Sequence, residues 1–547
     1  MDKHAWDERI RSAVAESYRA SGAWMGRTTV DYARRRASEA PERIAVVEGG
    51  RRLSYGFLWA EARRIAAGLR DLGLARGDVI SFQLPNWWES VVVNLAASLG
   101  GWTVNPIVPI YRDAEVGFIL ADCNARVVFV PEQFRSTDYV QMLGRIAAEG
   151  TARPMVVTVR GGEEGAGMRY ESLGRDSAPW EGTAATADDL KLVLYTSGTT
   201  GRPKGVLHSH NTLLAELRAV TQFWGVANDD VFFMPSPVTH ITGYCYALEM
   251  VFFAGIKVVL MDRWEAGQAI ALIQSEHASM TVGATPFLAE LTAAVEASGA
   301  CLPSFRLFAT GGAPVPPELV LRASRALPGC LICRVYGSSE SPTVTLGINA
   351  AADQERAAIT DGKVFNNEVR MVDAVTGAQV VAGAEGEILV RGPEVMLCYA
   401  REAETREAFD ADGFFRTGDL GILSPDGFIT VTGRKKDLII RGGENLSPKE
   451  IEDLLHEHHD VLEAAVVAMP HPRMGETPCA YVVLKSGCQM ELVQMCEFLE
   501  TKLLARQKFP ERLVVLDSMP KTASGKILKH VLRLRAGEDA KAAGEGV

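Results

Sequence analysis

Residues 195–205 read YTSGTTGRPKG, directly after the apolar run LKLVL at 190–194. Three glycines, four Ser/Thr hydroxyls and one lysine suit neither a helix nor a strand interior, because glycine weakens both. Such a segment offers close-approaching backbone N–H groups and small hydroxyl donors, which is what a phosphate needs. The pattern is not the P-loop GxxxxGK[ST], since Lys204 follows Pro203 and precedes Gly205. The stretch therefore predicts a phosphate-holding turn after a strand, for a nucleotide handled by some other chemistry.

Outward from this loop the chain alternates strands and helices. RRLSY (51–55) reads as a strand, with Ser54 capping a helix through AEARRIAAGL that stops at Gly73. VISFQL (79–84) is a second strand, and Asn86 is expected to cap the helix WWESVVVNLAASLG. The rhythm continues through the strand KLVLY and a helix around TLLAELRAV (212–220). Parallel sheets covered by helices are the expected architecture. After about residue 385 the pattern changes. EGEILVRG, GILS and FITVTG read as short antiparallel strands, with Asp426-Gly427 as a turn. A helix then follows with Ser447 as N-cap, Pro448 at its first position and Glu450 completing a capping box. Strands VLEAAVVAM and CAYVVLK and a helix near 489–505 make a small α+β unit. A boundary in the polar stretch 433–437 divides the chain into 1–435 and 436–547.

At 547 residues the chain exceeds one core, and 47% apolar residues argue against long disordered stretches. A net charge of −11 disfavours nucleic acid as a partner. The start MDKHAWDERIR has no apolar core of a secretory signal. The most apolar stretch, YALEMVFFAGIKVVLM, carries Glu249 and Lys257 and is too short for a membrane span. A soluble, cytoplasmic protein is expected. Nine scattered cysteines fit reduced thiols. The Cys330/Cys333 pair lies in CLICRVY, where a buried strand explains it better than redox or metal chemistry, and HEHHD (456–460) reads as a solvated helix end.

Five motifs stand in order: YTSGTTGRPKG, YGSSE (336–340), RTGDLG (416–421), GRKKDLIIRGGENLSPKEIE (433–452) and PKTASGKI (520–527). Together they resemble the adenylate-forming (AMP-binding) superfamily of acyl-CoA synthetases, adenylation domains and luciferases, over about residues 28 to 532. QLPNWWE (83–89) and TVGATPFL (281–288) look most like its short- and medium-chain or alicyclic acyl-CoA synthetases. The resemblance implies an α/β fold: a large multi-subdomain N-terminal domain of layered sheets and helices, and a small mobile α+β C-terminal domain. It implies two steps. A carboxylate attacks the α-phosphate of ATP to give acyl-AMP and pyrophosphate, and the coenzyme A thiol then displaces AMP.

By the same resemblance, Thr196, Ser197, Gly198, Thr199, Thr200 and Lys204 clamp the ATP phosphates. Glu340, exposed after a strand, holds Mg²⁺ through a hard oxygen. Tyr336 stacks on adenine beside Gly337, Ser339 (where the family usually has Thr) touches the α-phosphate, and Gly311, Gly312 and Ala313 form a flat wall. Asp419 accepts both ribose hydroxyls, and Arg434 reaches ribose or phosphate. Lys526 is expected to start the helix KILKHVLRLR after Ser524 and to bridge the two reacting anions in the first step. Lys436 is the hinge about which the C-terminal domain turns, bringing Gly442 and Gly443 to the pantetheine of CoA.

The acyl pocket is expected in PVTHITGY (237–244) and VGATP (282–286), with His240 as gate or structural residue, and Gly243, Gly283 and Ala284 leaving room. Neither segment has an Asp, Glu, Lys or Arg to pair with a second charged group, which favours an apolar acid. Ile241 stands where hydroxybenzoate-activating relatives often carry Asn. The partners expected are the acid, ATP and CoA, with a homodimer left open. Two other readings compete: an acyl-AMP ligase loading a carrier-protein phosphopantetheine, and a phosphotransferase or ATPase that would release ADP and phosphate.

Overall fold

The computed structural model describes residues 3–161, 167–196, 202–521 and 527–542. Its two largest sheets are mostly parallel. One runs in the order Leu331–Arg334, Leu307–Gly311, Met280–Ala284, Val231–Met234, Lys257–Leu260, Ile44–Glu48, Arg51–Ser54, with only the last pair antiparallel. The other runs Cys398–Tyr399, Lys204–Ser209, Leu190–Thr196, Thr103–Pro106, Val79–Phe82, Ala125–Pro131, Met155–Val159, Met168–Arg169. A four-stranded antiparallel sheet of Glu368–Val372, Glu385–Arg391, Phe415–Leu423 and Ile429–Arg434 follows. The C-terminal unit is built on the long antiparallel pair Val461–His471 and Gly475–Leu484, with its own apolar cluster.

The helix Trp88–Gly100 is buried at every position, and its polar Glu89, Asn94 and Ser98 are each held by a partner. Several sequence cues act as read. Ser54 Oγ accepts the Phe57 N–H (3.2 Å) at the start of Tyr55–Asp71. Gly427 has φ +86° in the turn before Ile429–Arg434. None of the nine cysteines forms a disulfide, and burial pushes Cys333 up to about 12, so the CxxC is strand packing.

Other cues are overruled by tertiary partners. Asn86 does not cap the helix; Trp87 holds the N-cap position, without a side-chain bond. The Asn86 amide instead donates toward the carbonyls of Met234 (3.3 Å), Ser236 (2.9 Å) and Met261 (3.0 Å) and accepts the Val238 N–H (2.9 Å). It thus joins the loop before one sheet's helix to the strand ends of the other sheet. Asn86→Ala is expected to lower stability by about 2–3 kcal/mol, because buried carbonyls and an N–H lose their partner. A shift in denaturant midpoint at unchanged m-value checks this. Ser447 does precede Pro448–Leu455, yet its hydroxyl donates to Thr432 O (2.6 Å), and Glu450 pairs with Lys508 (2.6 Å), so no capping box forms. The C-terminal helix spans Lys529–Ala542, so the expectation that Lys526 starts it is corrected.

Candidate active site

Ligands of open α/β sheets gather at the carboxyl ends of the strands, and several of the predicted residues lie at such ends. Gly283 pairs with Thr310 and Ala284 with Gly311, while Thr310 pairs with Arg334. Gly312 and Ala313 continue from Gly311, and Tyr336 and Gly337 lie just beyond Arg334. The strand Val231–Met234 runs parallel to these and leads into 237–244. In the other sheet Thr196 and Lys204 are Cα partners of one antiparallel pair. They bracket the loop whose Ser197, Gly198, Thr199 and Thr200 lie outside the described residues, as does Lys526.

Glu340 is anchored by groups the sequence did not single out. The Tyr399 hydroxyl donates to Glu340 Oε1 (2.8 Å), and the Met396 N–H donates to the Glu340 carbonyl (2.7 Å). The Lys204 ammonium lies 5.0 Å from the centroid of the Tyr399 ring. Lysine, tyrosine and glutamate meet because Val206 pairs with Tyr399 across the sheet edge. Glu340 Oε2 has no hydrogen-bond partner among the described residues, so a hard carboxylate oxygen of the kind Mg²⁺ takes is available. One residue earlier, the Ser339 carbonyl accepts from His208 Nε2 (2.8 Å). Burial holds His208 down at about 4, so the ring is neutral and its Nε2 is the donor.

Asp419 is buried at the base of the antiparallel sheet, opposite Arg434 in register. Its Oδ1 accepts from Arg434 Nε (2.6 Å) and its Oδ2 from the Tyr336 hydroxyl (2.8 Å). Each carboxylate oxygen has two lone pairs, so each retains one for a further donor. Tyr336 is thereby oriented through its hydroxyl as well as by its place after the strand.

The hinge candidate Lys436 lies in the turn Lys435–Asp437 that follows Arg434. Burial and then the nearby Arg434 lower its pKa. Arg533 of the C-terminal helix reaches Asp437 (3.3 Å), and Lys435 reaches Glu387 (3.2 Å). Gly442 and Gly443, with φ of +59° and +90°, make the two-residue turn between Ile439–Arg441 and Glu444–Leu446. The contacts of this turn run to Met474, not to the Glu340–Asp419 group.

On the acyl side, the reason given for Gly243 is corrected. A Cβ there would lie 2.1 Å from the Pro237 carbonyl oxygen, so this glycine permits close backbone packing rather than leaving room. The absent Cβ of Gly283 faces the Phe287 ring, which packs on Trp264 at 4.8 Å. His240 precedes the helix Ile241–Phe253, which contains a wide, π-type turn over Tyr244–Glu249. Such turns mark strained or functional stretches of helix.

A polar group missed in the sequence holds that turn. Lys191, fully buried on the strand leading to the phosphate loop, donates to Asn94 Oδ1 (2.8 Å) and Ser98 Oγ (2.6 Å) and lies 3.4 Å from Glu249. Asn94 also donates to Glu249 (2.7 Å) and accepts from the Tyr244 hydroxyl (2.7 Å). On the turn's other side Tyr246 donates to Glu216 (2.6 Å), which also accepts from Thr343 (2.7 Å), three residues after Glu340. The one available signal was a charge inside each apolar run, LKLVL and YALEMVFF. The histidines of HEHHD form a turn: the Asp460 N–H donates to His458 Nδ1 (3.2 Å), and His458 packs edge-on against Phe498.

The contacts of Glu340 with Tyr399, and of Asp419 with Tyr336 and Arg434, agree with the adenylate-forming class that the motifs resemble. Comparison with known proteins agrees. The AMP-binding enzyme model matches residues 33–400, and the AMP-binding enzyme C-terminal domain model matches 450–526. The chain belongs to the AMP-binding enzyme family. It is 35% identical to a medium-chain fatty-acid–CoA ligase of Escherichia coli (strain K12), covering 96% of this chain and 93% of that one. It is 34% identical to a salicylyl-CoA synthase / salicylate adenylyltransferase of Streptomyces sp, covering 95% and 96%. The crystal structure of ATP-bound MatB from Rhodopseudomonas palustris superposes with a TM-score of 0.82 at 29% identity, over 93% of this chain and 99% of that one. Among the described residues no helix is long and apolar enough to cross a membrane.

Proposed function

We propose that this chain is an ATP-dependent acyl-CoA ligase that adenylates an apolar carboxylic acid and transfers the acyl group to the CoA thiol. The contacts that join Lys204 and Glu340 through Tyr399, and Asp419 and Arg434 to Tyr336 four residues before Glu340, carry this reading. A carboxylate is a poor acyl donor, because its oxide is a bad leaving group, and adenylation replaces that oxide with AMP. The step brings two anions together, so the site has to neutralise charge and align attack opposite the departing pyrophosphate. The free lone pairs of Asp419 accept the ribose hydroxyls and fix the nucleotide. Lys204 and the Thr196–Thr200 segment hold the outer phosphates, and Lys526 meets the α-phosphate. Glu340 would hold Mg²⁺, which supplies charge neutralisation at the phosphates.

The aromatic surroundings of Gly283, and the lack of any charged side chain in 237–244 and 282–286, favour an acid without a second charge. Ile241 offers no amide to bind a ring hydroxyl. We place the domain boundary at 435/436, in the turn Lys435–Asp437, and the working compartment in the cytoplasm. For the second step the C-terminal unit turns about Lys436 and presents the Gly442–Gly443 turn to pantetheine.

The test is acid-dependent release of pyrophosphate from ATP, with and without CoA, across straight-chain, alicyclic and aromatic acids. Release that accelerates with CoA and yields acyl-CoA is expected. Release that stays slow until a holo-carrier protein is added would assign the acyl group to that protein instead. Formation of ADP would overturn the reading.

A further inference from the structure

A cavity of about 210 Å³ lies between the N-terminal helices and the segment 391–413. None of the residues assigned to nucleotide, acid or CoA lines it. Its walls include the rings of Tyr18, Trp24 and Phe409 and two guanidinium groups, Arg9 and Arg391. Arg391 is neutralised: it pairs with Glu368 (2.6 Å) and donates to the Asp412 carbonyl (3.0 Å). Arg9 is not.

Arg9 Nε donates to the Leu397 carbonyl (2.9 Å), and its guanidinium carbon lies 3.4 Å from the centroid of the Phe409 ring. Its terminal nitrogens have no acceptor, and no carboxylate lies within ion-pair distance, among the described residues. The Tyr18 hydroxyl likewise has no hydrogen-bond partner among them. Arg9 is half-buried, and that burial lowers its pKa, a partial desolvation cost. The Phe409 ring offsets part of that cost, and an anion would offset the rest while using the free N–H fork.

Size narrows the ligand. A cavity of about 150 Å³ holds a benzene ring, whereas sites for larger organic ligands start at about 300 Å³. A nucleotide or CoA is therefore too large, and a single ring or short chain bearing one carboxylate fits. We propose that this cavity is a second binding site, for a small monocarboxylate with an apolar body: its carboxylate on Arg9 and Tyr18, its body among Trp24, Tyr18 and Phe409. Met396 lines the cavity, and its N–H is the donor to the Glu340 carbonyl. An occupant therefore sits against the segment that anchors Glu340. The inference does not depend on which acid is adenylated.

The test is equilibrium dialysis of labelled benzoate against the full chain without ATP, comparing the parent with Arg9→Gln and Tyr18→Phe. The expected result is a class of sites weakened about tenfold or more by Arg9→Gln, the size of one lost charge-assisted bond. A smaller loss is expected for Tyr18→Phe, together with failure of neutral benzamide to compete. Pyrophosphate release should persist in both variants, which separates this site from the reaction. Identical benzoate isotherms in parent and variants, or no benzoate binding to the parent, would overturn the proposal. Should Arg9→Gln fail to fold, Tyr18→Phe alone decides, since it removes only a hydroxyl.

Discussion

Asp419→Ala is expected to lower kcat/KM for ATP by about 10²–10⁴, the loss of two charge-assisted hydrogen bonds at about 1.5–3 kcal/mol each. Both carboxylate oxygens are already aimed, one by Arg434 at 2.6 Å and one by the Tyr336 hydroxyl at 2.8 Å. The lone pair left on each is thus fixed in direction before the nucleotide arrives, which is the preorganisation that makes such bonds count. Alanine removes the acceptors and also frees Tyr336 and Arg434 to move. Asp419→Asn keeps one acceptor oxygen, and a loss between parent and alanine is expected for it. The Arg434 side chain is one-third exposed (33%), so water can solvate it in the variant and the fold should survive. Steady-state kinetics with ATP varied, beside a thermal unfolding curve, make the comparison. An unchanged KM for ATP in Asp419→Ala would remove this residue from the nucleotide site.

Much of this arrangement was legible because it depends on local chemistry. The turn at Asp426-Gly427, the Gly442-Gly443 turn, the Ser54 cap and the buried strand through Cys333 each follow from neighbours in sequence. So did the placement of Glu340 beyond a strand end, since a small-residue turn after an apolar strand has few other ways to run. The failures have one physical origin. Asn86 and Ser447 carry cap-forming side chains at cap-like positions, but each found a stronger partner from a distant segment: strand-end carbonyls for Asn86, Thr432 for Ser447. Gly243 looked like space for a substrate, yet the space is filled by the chain's own backbone at Pro237.

The groups that hold the site were harder to foresee. Tyr399 reaches Glu340 only because a two-residue strand adds to the edge of Lys204–Ser209, nearly 200 residues away in sequence. Lys191 and Glu249 meet only because two sheets pack across the buried helix Trp88–Gly100, whose Asn94 bridges them. A lysine in LKLVL is unusual for a buried strand, and a buried charge requires a partner. That requirement could have been stated from sequence, but not the identity of the partner. The π-type turn Tyr244–Glu249 is thus held by two separate polar clusters. One joins Lys191, Asn94, Tyr244 and Glu249, and the other joins Tyr246, Glu216 and Thr343, three residues after Glu340.

The two half-reactions should separate at Lys526. Three lysines flank or occupy PKTASGKILK, and the described ones are committed: Lys521 pairs with Glu463 (2.6 Å) and Lys529 with Glu452 (2.6 Å). Lys521 also forms an antiparallel bridge with Ile527. Lys526 lies outside the described residues, and its assignment rests on its place in the motif PKTASGK, as the family resemblance implies. A mobile point charge meeting both the acid and the α-phosphate is needed as attack begins and is not needed once acyl-AMP exists. Lys526→Ala is therefore expected to reduce acyl-AMP formation by about 10²–10⁴, within the range seen when one transition-state charge stabiliser is removed. Thioester formation from supplied acyl-AMP and CoA should stay close to the parent rate. Single-turnover assays of each half-reaction decide it. Equal loss in both would mean that one fixed constellation serves the two steps, and the turn about Lys436 would then have no chemistry to explain.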